Sequence, residues 1–161
     1  MRKIKQINVY DMDGVLVDTS HRYRMINGVT DMNYWRANHT AEKMSQDIIL
    51  PLAKKYLEDC FSESVYCVLC SVRSAHILDF EFIVGRLGAP NKILLVGQNA
   101  PPYELDYELK RRALQKLFNL RQFQGLPKFL WEDNTRTIQK LRKMFTACVY
   151  VPSKIAGVSS L

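Results

Sequence analysis

The chain has 161 residues, of which 47% are hydrophobic and 24% are charged. This length and composition describe one globular domain with a real core and argue against a disordered chain. No apolar run approaches the ~20 residues of a membrane span, and no signal-peptide pattern follows the N-terminus. We therefore expect a cytoplasmic protein with no membrane partner.

The net charge is +7, from 23 Lys and Arg against 16 Asp and Glu. Such a surplus suits an anionic partner, either a phosphorylated substrate or a nucleic acid. An ordinary basic protein would carry the same charge, so the charge alone does not decide the function. The oligomeric state is left open by the sequence.

Short apolar runs alternate with helical patterns along the chain. Strands are predicted at residues 4–10, 65–70, 93–96, 128–131 and 147–151. Helices are predicted at residues 41–59, 74–87, 104–120 and 134–145. Because each strand is short and rich in Val, Ile, Leu or aromatic residues, and helices separate the strands, the pattern predicts an α/β domain. We expect a parallel sheet with helices on both faces.

Two segments stand outside this alternation within the single domain expected over residues 1–161. Residues 19–40 are polar and aromatic, and they directly follow the first strand. We expect them to form a small cap-like insertion over the sheet edge, too short to close off the site from bulky substrates. Residues 152–161 are expected to form a loose tail.

Four cysteines include Cys67 and Cys70, which form a Cys-x-x-Cys pattern within a predicted strand. This spacing could indicate zinc or redox chemistry. However, side chains three apart on a strand point to opposite faces, and no second Cys or His pair has ligand spacing. Buried, reduced cysteines that pack in the core are the better interpretation.

The end of the first predicted strand carries the most informative residues. Residues 11–14 read Asp-Met-Asp-Gly, and Val-Leu-Val-Asp follows. Open α/β proteins build their sites at the carboxyl ends of the strands. In this context the motif resembles the opening motif of the haloacid dehalogenase-like (HAD) phosphohydrolases. The resemblance implies a HAD-like three-layer sandwich with about five parallel strands, and a hydrolase of the phosphatase class.

The resemblance gives each carboxylate of this motif a role. Asp11 would attack phosphorus and form an aspartyl-phosphate. Asp13 would protonate the leaving oxygen and then take a proton from the attacking water. We expect nearby negative charge and the substrate phosphate to help raise the proton affinity of Asp13. The alternative is an Asp pair in an ordinary turn.

Two further elements follow in the order that the resemblance implies. Ser71, after the second strand, would hydrogen-bond the phosphate next to a helix N-terminus, and Arg73 would contact a substrate oxygen. Lys110 would neutralise Asp11 and the transferring phosphoryl group. Without the resemblance, a serine after a strand often only caps a helix. Lys110 would likewise be one residue of an ordinary basic helix surface. Arg111 and Arg112 are neighbours that a register error could confuse with Lys110.

The fourth element is the acidic pair Glu132 and Asp133, which ends another apolar strand. Here the resemblance implies Mg²⁺, with Asp133, the Asp11 carboxylate and the Asp13 carbonyl as ligands. Glu132 would act in the same metal site indirectly or through water. An acidic helix cap is the alternative for this pair.

The layout of the chain looks most like the 3′-phosphatase domain of phage-type polynucleotide kinase/phosphatases. A Thr-x-His-Arg run that ends at Arg22, a Tyr-Trp-Arg run that ends at Arg36, and the Ser-x-Arg segment carry this likeness. Arg22 and Arg36 would then bind a nucleotide or polynucleotide phosphate. Asn134 departs from the Arg that often follows the acidic pair in the phage pattern, which leaves the exact substrate open.

The predicted function is removal of a 3′-phosphate from a polynucleotide end. The predicted location is the cytoplasm, and the phage likeness leaves open that this is the cytoplasm of a phage host. One alternative is a 5′(3′)-nucleotidase acting on (deoxy)nucleoside monophosphates, because the Asp-Gly-Val-Leu-x-Asp variant also occurs in deoxynucleotidases. A second alternative is a catalytically inactive HAD-like module that binds nucleic acid.

Overall fold

The structure is a computed structural model, and it describes residues 3–27, 29–97 and 104–155. The strands are β1 Gln6–Tyr10, β2 Val17–Asp18, β3 Met25–Ile26, β4 Val29–Thr30, β5 Ile48–Ile49, β6 Val65–Ser71, β7 Lys92–Leu95, β8 Lys128–Glu132 and β9 Ala147–Tyr150. The α-helices are α1 Met32–Ala37, α2 Ala41–Met44, α3 Ala53–Phe61, α4 Ile77–Phe82, α5 Asp106–Phe118 and α6 Thr135–Leu141.

Five of these strands form one parallel sheet in the order β7-β6-β1-β8-β9. The chain runs from β1 to β6 and β7 on one side, and then crosses to β8 and β9 on the other. The register sets Tyr10 opposite both Leu69 and Trp131. As a result the ends of β1, β6 and β8 meet at one edge, at the point where open sheets bind ligands.

The sheet separates two hydrophobic cores, because successive strand residues point to opposite faces. Cys67 belongs to the core under α3 and α4, whereas Cys70 belongs to the core under α5 and α6. All four cysteines are free. The predicted three-layer α/β arrangement and the packing role of the cysteines are therefore confirmed.

The predicted helix over residues 41–59 is wrong in its first half. It is divided into α2, the two-residue strand β5 and α3, with Pro51 between the strand and the second helix. β5 pairs antiparallel with β2. A residue before proline avoids helical backbone, so Leu50 ends the helical pattern and Ile48 can pair with the neighbouring strand.

The predicted helix over residues 74–87 begins three residues late, at Ile77, where the His76 side chain accepts a hydrogen bond from the Leu78 N–H. Its last turn, residues 83–87, is widened, and Gly88 follows it. The other two predicted helices are present as α5 and α6, and Asn134 caps α6. In the part of the chain that the structure describes, no helix is both long and apolar enough to span a membrane.

Candidate active site

The turn after β1 presents Asp11 and Asp13 at the sheet edge. The N–H groups of Leu16 and Val17 both donate to the Met12 carbonyl, which closes the chain into a tight turn. Gly14 has a φ of +80°, and a Cβ atom there would lie 2.2 Å from Asp133 Oδ2. Only glycine combines this backbone conformation with so close an approach, so Gly14 lets β1 and β8 bring their carboxylates together.

Asp11, Glu132 and Asp133 form a buried carboxylate cluster, which we call the carboxylate side of the site. One ligand atom of each residue lies within 4.8 Å of the others. Lys110 is only 4% exposed, and its Nζ atom lies 3.0 Å from Asp11 Oδ1 and 2.7 Å from Glu132 Oε2. The neighbouring Arg111 instead donates to the Lys140 carbonyl at the surface.

The carboxylate side carries three acids against one lysine, and this imbalance shifts their proton affinities. Burial and the charge of Glu132 raise the pKa of Asp11 to about 8, although Lys110 opposes the shift. Burial and the charge of Asp11 raise the pKa of Asp133 to about 6. Burial lowers the pKa of Lys110, but the charges of Asp11 and Glu132 outweigh it, and the net direction is upward.

This donor set fits a hard divalent cation. Carboxylate oxygens are the ligands that Mg²⁺ prefers, and the surplus negative charge would be compensated by a dication. Glu132 is already engaged, because Oε2 accepts from Lys110 and Oε1 accepts from the N–H groups of Asp133 and Asn134. Both oxygens of Glu132 therefore have partners, whereas Lys110 meets Oδ1 of Asp11 and Ser153 meets Oδ2 of Asp133. A metal would accordingly be held by Asp11 and Asp133, with Glu132 fixing their surroundings.

Ser71 ends β6 next to the carboxylates and is buried. Its Oγ atom accepts a hydrogen bond from the Arg73 N–H, at 3.3 Å. Gly97 packs against this loop so closely that a Cβ atom there would lie 2.1 Å from the Val72 carbonyl oxygen. Because α4 begins only at Ile77, the expected helix N-terminus directly behind Ser71 is not present.

Arg73 forms the second side of the site, which we call the arginine side, together with Asp13 and Asp79. Arg73 Nε and Nη2 donate to the two oxygens of Asp13 at 2.9 and 2.5 Å, and Nη1 donates to Asp79 at 2.8 Å. Burial raises the pKa of Asp13, but the charge and hydrogen bonds of Arg73 outweigh it, and the net direction is downward. In the free protein Arg73 therefore lowers the proton affinity of Asp13, and the rise expected from nearby negative charge and phosphate stays a prediction for the substrate complex.

A cavity of about 370 Å³ opens between the two sides and the insertion. The insertion contributes five residues to its wall: Tyr23, Thr30, Met32, Trp35 and Arg36. The Trp35 ring lies 6.1 Å from that of Tyr23 and close to two guanidinium groups, with Arg22 at 4.4 Å and Arg73 at 5.4 Å. The insertion thus supplies aromatic side chains to the same cavity that Asp11 and Asp13 line.

The two arginines of the insertion that are predicted to bind substrate differ in position. Arg36 is exposed and lines the cavity. Arg22 is fully buried, and its guanidinium donates to both oxygens of Asp47, at 2.9 and 2.8 Å. With both oxygens of Asp47 as partners and Trp35 over its face, Arg22 ties the insertion to the segment before α3 and is not among the residues that line the cavity.

Sequence reasoning missed several residues of the site. Asp79 lies in the first turn of α4, where an acidic residue is ordinary, and Gly97 follows an apolar strand like many other glycines. The segment expected to be a loose tail also contributes: Ser153 Oγ donates to Asp133 Oδ2 at 2.6 Å, and Ile155 lines the cavity. Nothing in the sequence marks these contacts, and residues 156–161 of the expected tail lie outside the described residues.

Comparison with known proteins places the chain in a family. The model of the family described as Bacteriophage T5 5'-deoxynucleotidase matches residues 1–95. The chain belongs to this family. The matched part includes the Asp11–Gly14 turn and the Ser71–Arg73 loop, whereas Lys110 and Asp133 lie beyond it. No curated protein matches the chain in sequence.

Solved structures agree with this placement at the level of the fold. A haloacid dehalogenase-like family hydrolase from Streptococcus pneumoniae is 12% identical, with a TM-score of 0.61 over 98% of this chain and 92% of that one. A chain of the Pnkp1/Rnl/Hen1 complex is 17% identical, with a TM-score of 0.60 over 93% of this chain and 47% of that one. A HAD-superfamily hydrolase from Geobacter sulfurreducens is 13% identical, with a TM-score of 0.50 over 85% of this chain and 84% of that one. The predicted HAD-like fold and the prediction of a hydrolase of the phosphatase class are confirmed.

Proposed function

We propose that the protein is a Mg²⁺-dependent phosphomonoesterase that works through an aspartyl-phosphate, with deoxynucleoside 5′-monophosphates as its first substrate class. The observation that carries the proposal is the pair of strand-end carboxylates in opposite surroundings, Asp11 beside Lys110 and Asp13 beside Arg73. In the free protein the pKa of Asp11 is raised and that of Asp13 is lowered, the reverse of what a nucleophile and an acid need. A divalent cation beside Asp11 would favour its ionised form, and a substrate phosphate beside Asp13 would favour its protonated form.

In the first step an Asp11 oxygen attacks phosphorus and forms an acyl-phosphate bond, while the bond from phosphorus to the ester oxygen breaks. Asp13 gives a proton to that leaving oxygen. In the free protein Asp13 is ionised beside Arg73, so it takes up its proton when the substrate phosphate brings negative charge and competes for the guanidinium. The buried Lys110 ammonium balances the charge around Asp11.

In the second step water attacks phosphorus, and Asp13 takes a proton from that water. The bond between phosphorus and the Asp11 oxygen breaks, which releases inorganic phosphate and restores both groups. Mg²⁺ held by Asp11, Asp133 and the Asp13 carbonyl would neutralise phosphate charge and orient the phosphoryl group. Ser71 lies beside this position and would donate its hydroxyl proton to a phosphate oxygen.

The substrate class rests on two observations. The family name refers to a 5'-deoxynucleotidase, and the cavity of about 370 Å³ is of the size that binds a small ligand. In this assignment Trp35 and Arg36 would contact the nucleoside, with the aromatic face against the base.

A 3′-phosphorylated polynucleotide end is the second candidate substrate, and it was the one that the sequence favoured. The net charge of +7 and the exposed Arg36 at the mouth of the cavity favour it. Contacts to several phosphates release counterions, so cleavage of an oligonucleotide would then weaken steeply with salt, whereas cleavage of a mononucleotide would not.

Phosphate release in the presence of Mg²⁺ tests the proposal. The panel is deoxynucleoside 5′-monophosphates, their ribose and 3′-phosphate counterparts, a 3′-phosphorylated oligonucleotide and p-nitrophenyl phosphate. We expect the deoxynucleoside 5′-monophosphates to have the highest kcat/KM and a chelator to abolish release.

The variant for this test is Asp11→Asn, with Glu58→Gln as the matched control on the exposed face of α3. Asp11→Asn removes the nucleophile and should reduce kcat by at least about 10³-fold, as loss of a nucleophile does in other hydrolases. The control should keep wild-type activity. Full activity of Asp11→Asn would refute the aspartyl-phosphate route, and preference for the oligonucleotide would move the substrate to the second candidate.

A further inference from the structure

The Arg73 guanidinium is fixed from both ends. One edge makes two hydrogen bonds to Asp13, and Nη1 donates to Asp79 Oδ1 at 2.8 Å. Arg73 is 5% exposed and Asp79 only 1%. A two-bond fork on a carboxylate defines the direction of that carboxylate, so whatever holds Arg73 also orients Asp13.

Asp79 is held in turn by the insertion. Its second oxygen, Oδ2, lies 3.2 Å from His39 Nε2, and His39 Nδ1 lies 3.4 Å from Arg22 Nη1. A guanidinium N–H can only donate, so Nδ1 is the acceptor and the imidazole proton lies on Nε2, toward Asp79. Arg22 is itself anchored by both oxygens of Asp47.

These contacts connect the insertion to the β1 turn through side chains that are buried or, for His39 and Asp13, half-buried. Buried ion pairs often contribute little net stability, because desolvation offsets their attraction. An aspartate and a histidine placed behind an active-site arginine are therefore poorly explained by stability alone. The arrangement resembles other sites in which a second layer of hydrogen bonds fixes the geometry of a catalytic group.

We propose that Asp79 and His39 are positioning residues of the reaction, which act through Arg73 to hold the Asp13 carboxylate where it meets the leaving oxygen. This inference rests on the proposed function, in which Asp13 is the acid. It predicts that loss of either residue weakens proton donation more than it weakens attack by Asp11.

The leaving group separates these two effects. A nucleoside 5′-oxygen leaves only with a proton, whereas p-nitrophenolate leaves with little help. We compare kcat/KM for the two substrates, since kcat/KM reports only the steps through the first phosphoryl transfer. The ratio of the two values comes from one preparation, so a partly unfolded variant does not change it.

For Asp79→Asn we expect kcat/KM for the nucleotide to fall about tenfold, which is a part of the 10²–10⁴-fold that a general acid contributes. We expect kcat/KM for p-nitrophenyl phosphate to fall less than about threefold. Glu81→Gln is the matched control, because Glu81 is an exposed carboxylate on the same helix. It should leave both values and their ratio unchanged. Equal losses on the two substrates, or no loss for Asp79→Asn, would overturn the proposal.

His39 offers a rescue test. His39→Leu removes both hydrogen-bonding groups and should reproduce the change of ratio seen for Asp79→Asn. His39→Gln keeps a donor and an acceptor and should restore the ratio to within about twofold of wild type. A wild-type ratio in His39→Leu would exclude His39 from this role. If the wild-type protein releases no phosphate from either substrate, the proposed function itself fails, which is a different outcome.

Discussion

Asp11 and Asp13 are two residues apart on one turn, yet their surroundings act on them in opposite directions. Asp11 faces two further acids and one lysine, and its pKa is raised to about 8. Asp13 faces Arg73, and its pKa is lowered although burial acts the other way. The difference teaches that neighbours from other strands, rather than the motif itself, decide which charge each carboxylate carries.

The strongest test of this comparison is Asp13→Asn. On the arginine side it removes the acid, and kcat/KM for a deoxynucleotide should fall by about 10²–10⁴-fold. The loss on p-nitrophenyl phosphate should be much smaller, because that leaving group needs little protonation. Binding of Mg²⁺ should persist, because the Asp11 and Asp133 carboxylates remain. Steady-state kinetics and a Mg²⁺ titration measure both effects, and equal loss on both substrates would contradict the assigned role.

Removal of charge from the carboxylate side should instead weaken the binding of Mg²⁺. Asp133→Asn should raise the Mg²⁺ concentration for half-maximal activity at least about tenfold, as loss of ligand support does in other metal sites. In wild type, Mg²⁺ at 100 times its Kd should raise the free energy of unfolding by about 2.7 kcal/mol. Thermal unfolding with and without Mg²⁺ checks this, and an undiminished stabilisation in Asp133→Asn would remove Asp133 from the metal site.

A third test concerns the glycine that joins the two sides. Gly14→Ala places a methyl group against Asp133 Oδ2 at a φ of +80°. It should lower the free energy of unfolding by more than the about 1–2 kcal/mol that left-handed backbone costs, and it should raise the Mg²⁺ requirement.

Gly125→Ala is the matched control for Gly14→Ala. Gly125 has a φ of +76°, but nothing lies within 4 Å of a Cβ atom there. This variant should show only the backbone cost, with unchanged activity. Denaturant unfolding and Mg²⁺ titrations compare the two variants. Equal behaviour of both would mean that the contact with Asp133 has no influence on the site.

The smallest expected effect is that of Ser153→Ala. This change removes the hydroxyl that donates to Asp133 Oδ2 and that helps to hold this carboxylate ionised. A hydrogen bond to a charged group contributes about 1.5–3 kcal/mol, and part of this loss should appear as a weaker affinity for Mg²⁺.

Ser45→Ala serves as the control. It removes an exposed hydroxyl that donates to the Glu42 carbonyl and that does not belong to the carboxylate side. Isothermal titration with Mg²⁺ distinguishes the two variants. An affinity for Mg²⁺ that is unchanged in Ser153→Ala would show that the segment after β9 does not influence the carboxylate side.

Periodicity identified the sheet well and the insertion poorly. The five strands of the parallel sheet occur where short runs rich in Val, Ile, Leu and aromatic residues predict them, because such runs suit strands that are covered on both faces. Residues 41–59 have helical spacing, but Ile48 and Ile49 pair with Val17 and Asp18 instead. Here pairing with β2 outweighs the local preference of these residues for a helix. Pro51 is the local sign that the helix is interrupted.

The sequence by itself determined the parallel α/β arrangement and the Asp-Met-Asp-Gly turn, because burial pattern and turn chemistry are local properties of the chain. Only the tertiary structure decided the partners of each carboxylate: Arg73 lies 60 residues from Asp13, and Glu132 lies 121 residues from Asp11. It also decided that Asp79 and His39 stand behind Arg73 and that Arg22 is buried. Electrostatic surroundings depend on distances in space, and these distances are set when the strands and the insertion pack together.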